Sequence, residues 1–198
     1  MSTAMSVPML VQAHSVIPQP WRNGGGSTRE LLTRPAGARS WGLRISVADV
    51  EQEGPFSSFP GVQRWFAVLS GAGVHLRIGA SEHLLDSSHD PLHFAGDAPA
   101  HCRLVDGATR DLNLMHARGT GLMQSARSGE PWRCASSGRG IFTRAPGIWL
   151  GSEDASLQLP AGCLLWMDDA GSEPWTFKTP SAADPGAVPP ALWLAWEP

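Results

Sequence analysis

Glycine and proline interrupt this sequence at short intervals, and this constrains the fold more than any other feature. The 198 residues include 22 glycines and 17 prolines, and the apolar runs between them are short, without long helical periodicity. Short apolar runs bounded by turn residues favour strands over helices. The expected strands are residues 42–50, 65–69, 73–78, 102–105, 112–116, 147–150, 156–159, 164–167 and 192–196. The sequence therefore predicts an all-β sandwich or barrel.

Alternation within the first of these runs supports strand structure. Leu43, Ile45 and Val47 would share one face of an extended chain, and Arg44 and Ser46 would share the other. Such alternation is the pattern expected of a β-strand.

A change in composition predicts the division of the chain into two lobes. Residues 119 to 147 are poor in apolar runs and rich in Ser, Gly and Arg, as in the stretches at 125–131 and 136–140. We expect a first β lobe at residues 1–118 and a second at 119–198. A Pro- and Gly-rich loop at residues 179 to 190 would precede the last strand.

Charge and cysteine content narrow the classes of partner and the compartment. The net charge is −3, the sequence pI is about 6.1, and the basic residues are scattered. Nucleic acid binding requires a basic face, so no nucleic acid partner is expected. Three cysteines without Cys-x-x-Cys spacing fit a reducing compartment. With no apolar segment of membrane-spanning length and no leader pattern, we expect a cytoplasmic protein without a membrane partner.

A run of three glycines is the most unusual local motif. Residues 20–30 read PWRNGGGSTRE. Ordered glycines lose much backbone freedom, so the run suggests positive-φ positions or a close backbone approach. It is not a phosphate-binding loop, because no lysine follows the glycines and prolines interrupt the segment before them. We expect a ligand-facing or structurally fixed loop rather than a plain linker.

Further motifs accompany this run in a fixed order. They are RISVADVE at 44–51, GPFSSFPG at 54–61, RW at 64–65, LSGAG at 69–73, FAGDAP at 94–99, CRL at 102–104 and DLNLM at 111–115. Together with the glycine run they closely resemble the HutD/Ves family, whereas the second lobe contributes little to the match.

This resemblance implies a fold and a general role. The fold would be cupin-like, of the RmlC-like jelly-roll type, with two small β-barrels in one chain and a degenerate second barrel. The family is associated with histidine utilisation, in which it has been proposed to limit flux by binding an intermediate such as formylglutamate. A homodimer is an expectation at the level of the family.

The resemblance to cupins also bears on metal binding. Metal-dependent cupins carry a His-x-His motif and a glutamate before a turn like that at residues 68–71, but no histidine stands there in this sequence. Arg64 falls near the position of the glutamate, where a cation would repel a divalent metal and favour a carboxylate. The alternative for Arg64 is a surface ion pair. We expect no metal and no other cofactor.

The histidines offer only a weak rival site. His83, His89 and His93 have spacings at which a loop cluster is conceivable, but no carboxylate or thiolate supports them in sequence. Solvated loop histidines are the favoured interpretation over zinc ligands. His101, the echo of a second cupin motif, cannot build a site alone.

Polar residues of the family motifs supply candidate ligand contacts. Glu30 could accept from a ligand ammonium or amide, or form a salt bridge with Arg29, Arg44 or Arg64. Asp111 and Asn113 would share one sheet face, and an asparagine suits an amide or formamido group. The candidate ligand-binding residues are Trp21, Asn23, Glu30, Ser46, Phe56, Arg64 and Asn113.

Three functional hypotheses follow from these residues. The leading one is a non-enzymatic protein that binds a small anionic metabolite and regulates histidine utilisation. A metal-independent isomerase or hydrolase, with Glu30 or Asp111 as base, is the enzymatic alternative. The third is a protein-interaction module whose second lobe exposes an apolar patch including Trp193 or Trp196.

Overall fold

The fold is built from short strands throughout. The computed structural model describes residues 7–38, 40–151, 155–168, 171–180 and 188–198. Within these ranges the strands are β1 (Met9–Gln12), β2 (Gln19–Pro20), β3 (Gly26–Arg34), β4 (Leu43–Val50), β5 (Gly54–Pro55), β6 (Gln63–Ser70), β7 (Val74–Ile78), β8 (Ser81–Leu85), β9 (Leu92–Ala95), β10 (Ala100–Leu104), β11 (Thr109–His116), β12 (Thr120–Ala126), β13 (Pro131–Trp132), β14 (Gly138–Thr143), β15 (Gly147–Leu150), β16 (Ser156–Leu159), β17 (Cys163–Met167), β18 (Trp175–Lys178) and β19 (Ala191–Glu197). One 3-10 helix, Ala13–Ser15, follows β1. The expectation of an all-β protein is confirmed, and none of the described helices is long and apolar enough to cross a membrane.

The chain forms two compact units. The first unit comprises Val16–Gly121 with the terminal Pro198, and the second comprises Leu122–Glu197 and the described part of Met1–Ser15. The predicted division at residues 118 and 119 differs from this in the placement of the N-terminus. Strand β1 pairs antiparallel with β17, Met9 opposite Trp166, and so lies in the second unit. Nothing local in the sequence of β1 signals so distant a partner.

Two sheets form the first unit. One has the order β2-β3-β4-β11-β6-β9, the other the order β5-β10-β7-β8. Both faces of the central strand β4 are buried: Leu43 and Ile45 are fully buried on one face, and Ser46 and Ala48 are buried on the other. The expected strand is present, and its polar face, which carries Arg44 and Ser46, lines a cavity.

The glycine run is an ordered turn that leads directly into β3. Gly24 has a φ of +71°, and a Cβ at Gly26 would collide with the backbone carbonyl oxygen of Asp49 on β4. These are the two roles expected for glycine here, positive φ and close backbone approach. Strand β3 begins at Gly26 itself, so the expected loop is shorter than its composition suggested.

Backbone hydrogen bonds hold this turn closed. The N–H of Trp21 donates to the carbonyl of Gly26 at 2.9 Å, and the N–H of Gly24 donates to the carbonyl of Trp21 at 3.0 Å. The carbonyl of Gly25 accepts from the N–H groups of Glu51 and Gln52, at 2.9 and 3.1 Å. The turn is thereby tied to the segment that follows β4.

Tryptophan side chains fill the interior of the second unit. Its sheets have the orders β1-β17-β14-β19-β12 and β13-β18-β15-β16. Trp132 stacks on Trp193 with ring centroids 4.9 Å apart, and Trp149 meets Trp175 edge-on at 5.0 Å. Trp193 is 2% exposed and Trp196 only 9%, so the predicted apolar surface patch containing them was wrong. Both faces of β19 are buried from Ala191 to Trp196, and the two rings, three residues apart, lie on opposite faces.

Candidate ligand-binding cavity

A cavity of about 560 Å³ lies within the first unit. Three neighbouring strands line it with alternate residues, because side chains of a strand point to opposite faces in turn. These residues are Arg44, Ser46, Ala48 and Val50 from β4, Arg64 and Phe66 from β6, and Asp111, Asn113 and Met115 from β11. The segment before β3 and residues around Phe56 complete the wall.

Arg64 is a buried cation at this cavity. It is 8% exposed, its Nε donates to Oδ1 of Asn113 at 2.9 Å, and its guanidinium lies 4.4 Å from the ring centroid of Phe56. Burial lowers its pKa to about 10, against the attraction of Asp111, so it stays protonated at neutral pH. No described carboxylate forms an ion pair with Arg64, and the surface ion pair considered for it does not occur.

Asp111 is a buried carboxyl on the same sheet face. Its side chain is fully buried, and Oδ2 accepts a hydrogen bond from the Thr109 hydroxyl at 3.2 Å. Within the described part of the chain, Oδ1 has no hydrogen-bond partner. Burial raises the pKa of Asp111 to about 7, while the Thr109 hydrogen bond and the charge of Arg64 act in the opposite direction. Asp111 therefore neither pairs with an arginine nor stays fully ionised at neutral pH.

The turn before β3 forms one wall. Trp21 lines the cavity and is held by a 2.8 Å hydrogen bond from its Nε1 to the Thr28 hydroxyl. Oδ1 of Asn23 accepts the N–H of Gly25 at 3.1 Å, so the carbonyl of this side chain serves the turn. Arg22, beside them, lines the cavity from an exposed position.

The structure brings six of the seven predicted ligand-binding residues around this one cavity. They are Trp21, Asn23, Ser46, Phe56, Arg64 and Asn113. Glu30 is not among the lining residues; its Oε2 pairs with Nε of Arg44 at 2.9 Å. The salt bridge that was the alternative reading of Glu30 is therefore the arrangement found.

The charge of the cavity favours an anion. Arg22, Arg44 and Arg64 contribute three cations, whereas Asp111 is the only carboxyl among the lining residues. Glu30 neutralises Arg44 from outside the lining. Arg64 is the most buried of these three arginines, so its interaction with a negative group is screened least.

Comparison with known proteins identifies the family of this chain. The sequence pattern of the HutD family matches residues 13–180. The chain belongs to the HutD family. An uncharacterised 21.2 kDa protein in the hutC 3′ region of Pseudomonas putida is 39% identical over 115 residues, 57% of this chain and 60% of that protein. The chain thus covers less than two thirds of the length of that relative. The HutD family is linked to histidine utilisation.

Two solved structures resemble nearly the whole chain. A conserved protein of unknown function from Pseudomonas aeruginosa PAO1 is 29% identical with a TM-score of 0.86, covering 98% of this chain and all of that one. HutD from Pseudomonas fluorescens SBW25 is 27% identical with a TM-score of 0.79, covering 96% and 98%. Oxalate decarboxylase from Bacillus subtilis shares the fold alone, at 8% identity and a TM-score of 0.61 over 100% of this chain and 78% of that one. The expected bicupin architecture is confirmed.

His83, His89 and His93 do not form a metal-binding cluster in the described part of this HutD family protein. The ring of His93 packs against Trp65 with centroids 4.6 Å apart and planes tilted by 32°, and Nδ1 of His89 lies 2.8 Å from Oδ1 of Asp86. His83 stands on β8, in the other sheet of the unit. Across the described ranges, no three His, Cys, Asp or Glu side chains are placed to hold a metal ion.

Sequence reasoning missed several lining residues of this HutD family cavity. Arg44 and Met115 are register partners between β4 and β11, and each lies two residues from a predicted contact, Ser46 and Asn113 respectively. The period of two along each strand is the signal that would have found them. Asp111 was placed on the right sheet face but was not included among the ligand contacts.

Proposed function

We propose that this protein binds a small carboxylate metabolite in the cavity of the first unit and thereby regulates histidine utilisation. The observation that carries the proposal is Arg64, a desolvated guanidinium at a cavity with no carboxylate partner among the described residues. A buried charge is costly when unpaired, and a ligand carboxylate is the group that would compensate it.

The size and lining of the cavity suit such a ligand. A volume of about 560 Å³ is within the range of small-molecule sites, roughly 300 to 1,000 Å³. Phe56 and Trp21 supply apolar walls, and Ser46 and Asn113 supply polar groups beside Arg64. Apolar walls with a few convergent polar groups are the usual composition of a metabolite site. The candidates from histidine breakdown are formylglutamate, glutamate, urocanate and formate.

The first test compares two arginine variants by isothermal titration with these four acids. Arg64→Gln removes the cation but keeps a side chain that can hydrogen-bond to Asn113. Arg103→Gln is the matched control, because Arg103 is an exposed arginine, 56% accessible, whose partner is Glu82. We expect saturable binding to the wild type and to Arg103→Gln, and a loss of roughly 100-fold in Arg64→Gln, the scale for truncating one partner of a buried charge pair.

The outcome that contradicts the proposal is equally definite. If Arg64→Gln is folded by circular dichroism and keeps wild-type affinity, Arg64 is not the anion anchor. If none of the four acids binds the folded wild type, the link to this pathway's intermediates is wrong.

Asp111 favours one second candidate, a metal-independent isomerase. Asp111 lines the cavity, its Oδ1 has no hydrogen-bond partner among the described residues, and its pKa of about 7 suits a general base that takes a proton from the carbon next to a carboxylate held by Arg64. Glu30 is a poorer base because it pairs with Arg44 away from the cavity lining. Exchange of that carbon-bound hydrogen in D₂O, followed by NMR and abolished by Asp111→Asn, would support catalysis. Absence of exchange at saturating ligand would exclude this role.

A further inference from the structure

We propose that Asp111 is a second ligand anchor, which selects acids that carry an N–H or O–H donor close to the carboxylate bound by Arg64. This inference rests on the proposed function and narrows the class of ligand that the cavity accepts. Its basis is an unsatisfied oxygen on a fully buried side chain at the cavity wall.

The two anchors lie close together on one sheet face. Asp111 and Asn113 alternate on β11, and Nε of Arg64 is fixed to Oδ1 of Asn113. Alternate residues of a strand are roughly 7 Å apart, the span of a small dicarboxylic acid. A carboxylate on Arg64 would therefore leave neighbouring atoms of the same molecule within reach of Asp111.

The surroundings of Asp111 supply no donor for its free oxygen. The Thr109 hydroxyl donates to the other oxygen, Oδ2. Across the sheet Asp111 is paired with Ala48 of β4 and Val68 of β6, whose side chains are apolar. A buried acceptor left without a donor is unfavourable, so a ligand N–H or O–H is the complementary group.

The charged groups around Asp111 act on it only through space. They are Arg64 on β6 and Asp49 on β4; the nearby thiol of Cys102 on β10 is titratable but uncharged at neutral pH, because burial raises its pKa to about 12. Asp49 is itself bound by Arg29 and Arg110. None of these three groups hydrogen-bonds to Asp111, so each influences its charge without satisfying its oxygen.

The proposal predicts a definite sign of pH dependence. A ligand donor stabilises the ionised carboxylate, so affinity for a donor-bearing acid should rise from pH 6 to pH 8. An acid that offers an acceptor instead needs Asp111 protonated, so its affinity should fall over the same range. The two classes of ligand therefore separate most strongly at pH 8.

A matched pair of acids provides the test. 2-Hydroxyglutarate and 2-oxoglutarate have the same heavy-atom skeleton but carry a donor and an acceptor, respectively, at the same carbon; glutarate carries neither. Isothermal titration at pH 6 and pH 8 would compare the wild type with Asp111→Asn, whose side chain can serve either ligand. At pH 8 we expect 2-hydroxyglutarate to bind the wild type at least about tenfold more tightly than 2-oxoglutarate. This factor is the scale of a hydrogen bond to a charged group. In Asp111→Asn this preference should disappear.

The outcomes separate the two proposals. Equal affinities of the three acids for the wild type, or an unchanged preference in Asp111→Asn, would overturn the role of Asp111 while Arg64-dependent binding stands. Silence of every acid, including those of the Arg64 experiment, would overturn both.

Discussion

Replacing Asp111 by asparagine should stabilise the free protein, and by more as the pH rises. Burial raises the pKa of this carboxyl from its ordinary 3.8 to about 7. The folded state then holds a proton that the unfolded state releases between these values, so raising the pH favours unfolding of the wild type. Asparagine has no such proton, and the difference between the two proteins isolates the contribution of Asp111.

The size of the effect follows from the same interval. Three pH units at about 1.4 kcal/mol each amount to about 4 kcal/mol in the free energy of unfolding. Roughly 2.5 kcal/mol of this should accumulate between pH 5 and pH 8, with the slope flattening above pH 7. Asp111 is fully buried, so solvent screening does not reduce the effect.

Urea unfolding followed by tryptophan fluorescence at several pH values from 5 to 8.5 measures this difference. Asp106→Asn, at an exposed position between β10 and β11, controls for the loss of one negative charge. A difference between wild type and Asp111→Asn that stays constant with pH would refute the reasoning. It would mean that Asp111 titrates alike in the folded and unfolded chains.

Three further predictions concern the framework. Gly26→Ala should lower the free energy of unfolding by about 3 kcal/mol or more, because the added Cβ would meet a backbone carbonyl oxygen. Gly24→Ala should lower it by only about 1 kcal/mol, because that position has a positive φ but open space around it. Thermal unfolding of the two variants would compare these losses. In the native protein only Cys134 should react readily with a thiol reagent such as DTNB. Cys102 and Cys163 are buried, and burial raises the pKa of both thiols. Rapid reaction of all three cysteines would contradict this burial. Trp193→Ala should cost about 3 to 5 kcal/mol by removing half of a buried stacked pair, and a loss below 1 kcal/mol in urea unfolding would show that the pair is not part of the core.

The strands were predictable where apolar residues reveal them. All nine predicted strands coincide with observed ones, and residues 147–150 and 156–159 match at both ends. The misses have physical causes. Strand β3 is rich in polar residues and follows the glycine run, and β14 contains Gly138 and Gly140, where any Cβ would press into the Trp166 ring. A glycine required for close packing looks locally like a strand breaker.

The candidate site was predictable as a face but not as a set of contacts. Alternation placed Asp111 and Asn113 together, and an arginine near the position of the cupin glutamate pointed to Arg64. The sequence could not show which carboxylates form ion pairs. Glu30 on β3 pairs with Arg44 on the neighbouring strand β4, whereas Asp111 forms an ion pair with none of the described cations. Such pairings depend on strand register, which joins residues far apart in the chain.

The closed turn around Gly25 bears on how quickly this pocket could respond to its ligand. Because that wall is already hydrogen-bonded to the segment after β4, little ordering of this wall need accompany ligand binding. Ligand binding to a cavity with such a preformed wall would occur in a single kinetic step. The observed binding rate would rise linearly with ligand concentration, and no slow closing phase would follow. If the proposed metabolite binds here, occupancy of the cavity would track the current metabolite concentration without a delay from closure of this wall.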